Sequence, residues 1–74
     1  MKKEKRERFV RLAVKRVNRA IRDIRLIGNL SNRAVYEYTD EDSRKIVRAL
    51  QKEVESVRTR FSGPGDAGDN EFKL

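Results

Sequence analysis

The sequence predicts an all-α fold: an antiparallel two-helix hairpin that dimerises into a four-helix bundle and ends in a disordered C-terminal tail. Three observations carry that expectation. Two stretches repeat apolar residues at heptad spacing, each on one face of a helix. A segment rich in Asn and Ser separates them. The last 13 residues, SGPGDAGDNEFKL, are dominated by Gly, Asp and a Pro that break regular structure. The expected layout is a helical hairpin over residues 1–61 and a flexible tail over 62–74.

The first helix is expected from about residue 3 to 27. With Val10 at heptad position a, Val17 and Ile24 also fall at a. Ala13, Ala20 and Ile27 fall at d, and Val14 and Ile21 at e. A continuous a/d/e stripe is what a helix shows when it buries one face in a bundle. Alanines at d let a partner helix come close. Gly28 follows the last periodic residue, where a left-handed C′ residue costs least, and Leu30 stands at C″, ready to fold back.

The connection, residues 28–39, mixes Asn29, Ser31 and Asn32 with Val35, Tyr36 and Tyr38. A short extended piece and a single helical turn both fit it.

The second helix is expected over about 40–61. Thr39 is a good N-cap, and Asp42 three residues on completes an Asp version of the capping box. Asp40, Glu41 and Asp42 suit the positive end of the helix dipole. With Val47 at a, Val54 and Phe61 repeat a, Leu50 and Val57 take d, and Ile46 takes g. One hairpin leaves half of each stripe wet, and two hairpins back to back hide both. A homodimer is therefore expected. Its burial would offset an ordering cost of about 1–2 kcal/mol per residue of backbone. With no Cys and no His among 74 residues, neither a disulfide nor a common metal site is at hand to replace it.

The same inventory argues against an enzyme. Ser31, Ser43, Ser56 and Ser62 have no histidine to activate them. The cluster Asp40-Glu41-Asp42 reads as helix-start chemistry ahead of Mg²⁺ binding, because one local cluster supplies few converging ligands. Gly63, Gly65 and Gly68 spell G-x-G-x-x-G, but the dinucleotide fingerprint needs a strand before it and a helix after it. No cofactor is expected.

Charge gives the functional bias. Residues 1–33 hold 12 Lys and Arg against 3 acids, a net of +9. Residues 34–60 hold 6 against 6, and residues 61–74 hold 1 against 3. Arg8, Arg11, Lys15, Arg19 and Arg22 step by 3, 4, 4 and 3 along the first helix, and Arg25 extends them. They form one ridge opposite the apolar stripe, about 20 Å long at 1.5 Å per residue. Forked arginine donors suit phosphate oxygens. DNA or RNA is thus the expected partner, engaged through its backbone rather than its bases. A solvated face is the plain alternative, yet such a face intersperses both signs, as the second helix does. Asn18, between Arg11 and Arg25, has the chemistry to touch a base edge. Tyr36 and Tyr38 have the chemistry to stack on bases or to seal a bundle end.

A protein-interaction module is the competing expectation. An acidic protein would dock on the ridge, or Phe72 and Leu74 at the C-terminal tip would enter an apolar groove. No run is apolar enough to span a membrane, and no apolar core follows MKKEKRERF as in a secretory signal. A cytoplasmic chain is expected.

EKRERFVR resembles the Glu-Arg basic region of basic helix-loop-helix dimers, whose layout is also similar. Phe9 and Val10 stand where that family has a basic pair, so its groove-reading function is not carried over. In size and layout the chain is similar to the plasmid RNA-binding hairpin that dimerises into a four-helix bundle, a likeness of architecture alone. IRLIGNLSN followed by YEYTDED resembles short uncharacterised bacterial helical-hairpin proteins over roughly residues 8–61. That resemblance implies a bacterial or mobile-element source and no transferable activity.

Overall fold

A computed structural model describes residues 2–72, with side chains up to residue 63. It is all-α: two long helices and a short 3-10 turn, with no strand among the described residues. The chain divides into two units, residues 1–37 and 38–74.

In the first unit, α1 spans Lys2–Gly28, one residue beyond the expected helix at each end. Its start has little help from its own charges. Glu4 is the acid of the first turn, while Lys2, Lys3 and Lys5 crowd the positive end of the dipole. Its end corrects the sequence expectation. Gly28 lies at φ −60° and ψ −30°, in the right-handed region, and not in a left-handed C′ conformation. The chain tightens into a 3-10 turn over Asn29–Ser31, and extended backbone at Asn32 (φ −73°, ψ 100°) stops it. Tightening to i→i+3 bonds serves the terminal carbonyls without a positive φ. Leu30 accordingly stays exposed.

Asn32 then organises the connection. Its Oδ1 accepts from the Ala34 N–H at 3.0 Å. Its carbonyl accepts from the N–H groups of Val35 and Tyr36 at 3.1 and 2.9 Å. Of the two conformations that suit the loop composition, this segment takes the helical turn.

In the second unit, α2 spans Asp40–Phe72 with non-helical backbone at Gly63. Its start is the capping box expected from Thr39 and Asp42. The Asp42 N–H donates to Thr39 Oγ1 at 3.0 Å. The Thr39 N–H donates to Asp42 Oδ2 at 2.9 Å. The Thr39 backbone N–H first, and the Thr39 side chain second, hold the Asp42 carboxyl below its ordinary value. At the other end, Gly63 has φ 77°, where a side chain is strained. The regular helix therefore runs one residue past Phe61, to Ser62, and breaks just inside the segment 62–74 expected as a tail.

None of the described side chains is buried. Leu12, Ala13, Ile27, Tyr38 and Leu50 are half-covered. The other large apolar residues of the two stripes lie between 40% and 74% exposed. Each helix, taken by itself, is thus amphipathic.

Candidate nucleic-acid interface

The ridge is built by helix periodicity alone. At 100° per residue, Arg8, Arg11, Lys15, Arg19 and Arg22 fall within an arc of about 80°, and Arg25 widens it to about 120°. All six side chains are exposed. Val10, Val17, Ile21 and Ile24 lie on the opposite face of α1.

Few groups compete for these cations. Glu4, Glu7 and Asp23 are the acids of α1. On α2, Lys45 pairs with Glu41 at 3.7 Å and Arg58 with Glu55 at 3.4 Å. Arg6, outside the ridge, stacks over the Phe9 ring at 5.9 Å from its centroid. The ridge therefore presents a row of guanidinium and ammonium groups to solvent. Such a row neutralises phosphates and reads no sequence.

Asn18 is exposed beside Arg11 and Arg25, where it can reach whatever the ridge binds. Tyr36 is exposed and Tyr38 half-covered; both belong to the connection between the helices. Of the two tip residues, Phe72 is described by its backbone alone, and Leu74 lies outside the described residues.

Two residues on the basic side escape a reading confined to the a, d and e positions. Leu12 and Leu26 share heptad position c with Arg19, one heptad before and one after it. Leu26 is 58% exposed, more than any apolar residue on the opposite face of α1. Plotting every apolar residue on the wheel would have found them.

The acidic cluster at the start of α2 is already engaged. Asp42 caps the helix and Glu41 pairs with Lys45. Among the described residues, no three side chains of metal-ligand type come together. Ser43, Arg44, Val47, Arg48 and Gln51 line a shallow groove along α2, too open to enclose a small molecule. No helix among the described residues is long and apolar enough to cross a membrane.

No family model, curated protein or solved structure matches the chain.

Proposed function

We propose that this chain is a small, non-enzymatic, cytoplasmic protein that binds nucleic acid as a homodimer through the basic ridge of α1. The observation that carries the proposal is the row Arg8, Arg11, Lys15, Arg19, Arg22 and Arg25, exposed on one face of a continuous helix with few acids beside it. The mechanism is release of counterions from phosphates, so affinity is modest and nearly indifferent to sequence. The assembly that goes with it is an antiparallel hairpin closing pairwise into a four-helix bundle. Both apolar stripes then have cover, and the ridges face outward.

Fluorescence anisotropy with labelled duplex DNA, single-stranded DNA and structured RNA across a salt series tests the reading. Engagement of about five phosphates on a duplex gives log K a slope near −4 to −5 against log salt. Negligible binding at low salt overturns it.

Leu12 and Leu26 favour a second reading, in which the ridge docks on an acidic protein surface with two apolar sockets. Phosphate backbones offer no such sockets, whereas protein interfaces do. Truncating both leucines to Ala separates the readings. Unchanged nucleic-acid affinity leaves the first in place, and loss of a captured protein partner supports the second.

A further inference from the structure

We propose that Leu12 and Leu26 are wedges that enter the base stack when the ridge of α1 lies on a DNA duplex, so that this chain bends the duplex it binds. The inference rests on nucleic-acid binding through the ridge. It adds what the cations cannot specify, a double strand and its deformation.

The two leucines belong to the basic face by position. At 100° per residue, Leu26 falls inside the arc swept by Arg8, Arg11, Lys15, Arg19 and Arg22, and Leu12 lies about 20° beyond its edge. That face is opposite the a/d/e stripe, so any helix that packs on the stripe leaves the c positions outside. Single leucines at a surface are ordinary. Here two recur at one heptad position, in a row whose other members on α1, Lys5 and Arg19, are cations. Leu26 is 58% exposed and Leu12 is half-covered.

Their neighbours decide what fits them. Arg8, Lys15 and Arg16 stand within a turn of Leu12, and Arg11 precedes it. Arg22 and Arg25 flank Leu26, with Asp23 the acid within a turn. An apolar side chain among cations suits a surface that is apolar at its centre and anionic at its rims. A protein partner must build that surface twice, around sockets 14 residues or about 21 Å apart along α1. A DNA duplex has it at every step, because its stacked bases lie between two rows of phosphates. The separation of the leucines corresponds to about six base steps at 3.4 Å each.

Leucine is among the side chains that enter base steps from the minor groove, where Arg and Lys accompany it. Entry kinks the duplex toward the major groove. It thereby opens a minor groove of about 6 Å to the face of a helix about 10–12 Å across. Single strands lack the stacked step and favour aromatic platforms. Phe9, the aromatic of α1, lies about 80° outside the arc of the ridge and under the Arg6 guanidinium.

Energy transfer between the ends of a duplex tests the wedges on the full chain. A DNA duplex of about 24 base pairs, about 80 Å long, carries a donor at one end and an acceptor at the other. It is titrated with the parent chain, L12A/L26A and L12M/L26M, beside the anisotropy series. The parent at saturation raises transfer, because kinks of about 20° or more bring the ends together. L12A/L26A loses half or more of that rise. Its affinity stays within about threefold, since unstacking costs about what the bent contacts return. L12M/L26M keeps an apolar wedge and keeps the rise. Both changes preserve helix propensity, so circular dichroism of the free variants matches the parent. The parent's own transfer reads the bend whatever the variants do. Anisotropy that rises without any change in transfer overturns the wedges and leaves the ridge standing. An equal rise from L12A/L26A does the same. No anisotropy change with any nucleic acid at low salt overturns ridge and wedges together. An acidic protein captured by the parent and lost to L12A/L26A, with transfer alike for both, gives the leucines to that protein and overturns the wedges.

Discussion

The two helices of this molecule share a period and differ in what their charges do. The charged side chains of α2 serve α2. Asp42 closes a capping box with Thr39, Glu41 reaches Lys45, and Glu55 reaches Arg58. In α1 they do little for the helix. Lysines stand at the positive end of the dipole, and the ridge from Arg8 to Arg25 has few acids within a turn. Charge that stabilises its own helix needs no partner. Charge placed in a row and left exposed is free to meet a partner, as the proposed function requires.

That contrast breaks most sharply by moving the same substitution between helices. Changing Arg11, Lys15, Arg19 and Arg22 together to Gln keeps helix propensity and removes four cations. Nucleic-acid affinity near physiological salt should fall by about a hundredfold or more, and the salt slope should flatten by about 3 to 4. The matching change on α2, at Arg44, Lys45, Arg48 and Lys52, also removes four cations and should shift affinity by less than about threefold at equal ionic strength. Equal losses from the two variants would mean that net charge, and not the ridge, attracts the ligand. Retained binding in the first variant would sink the ridge outright.

The next effect concerns the start of α2. Thr39→Ala removes the hydroxyl that accepts from the Asp42 N–H, and lost N-caps cost about 1 kcal/mol. Helicity by circular dichroism and the melting temperature should both drop, with no compensating gain in binding. The pH dependence follows from Asp42. Its pKa is lowered in the folded chain, first by the Thr39 backbone N–H and then by the Thr39 side chain. The stabilisation is thus fully present above the ordinary Asp value and is lost as pH falls through the lowered one. An acid titration should show α2 helicity steady from neutral pH down toward that ordinary value and falling beneath it. The step should shrink in the Thr39→Ala chain. No counterpart is expected in α1, where no capping box is present.

Much of this architecture was legible because its causes are local. Heptad spacing places Val10, Val17 and Ile24 on one face whatever surrounds them, and Thr39 with Asp42 closes its box within four residues. The end of α1 was misread for a reason equally local. Glycine permits the left-handed turn that ends many helices, but it does not require it. Asn29–Ser31 continue in a tighter helix and remove the need. Leu12 and Leu26 stand at c, outside the a/d/e stripe, so the apolar periodicity of α1 does not include them. The ligand of the ridge is hardest to read. Coulomb attraction between guanidinium and phosphate is non-directional, so the same residues suit duplex, single strand, structured RNA or an acidic protein.

The smallest effect sharpens the comparison at the two helix ends, where one residue type does opposite things. Gly28 lies in the right-handed region, and a Cβ built there meets nothing within 4 Å. Gly63 also has open space, but its φ of 77° strains any side chain. Gly28→Ala should therefore stabilise the chain by about 0.5–1 kcal/mol, by raising helix propensity and limiting the unfolded ensemble. Gly63→Ala should instead cost about 1 kcal/mol, the usual penalty for forcing an L-residue into left-handed backbone. Thermal melts of the two variants beside the parent chain decide it. A destabilised Gly28→Ala would restore the left-handed cap that the sequence suggests and would remove the 3-10 continuation of α1. Opposite signs would establish that α1 carries its helix through Gly28 while α2 breaks at Gly63. Steric room is equal at the two sites, so backbone conformation alone would set the sign.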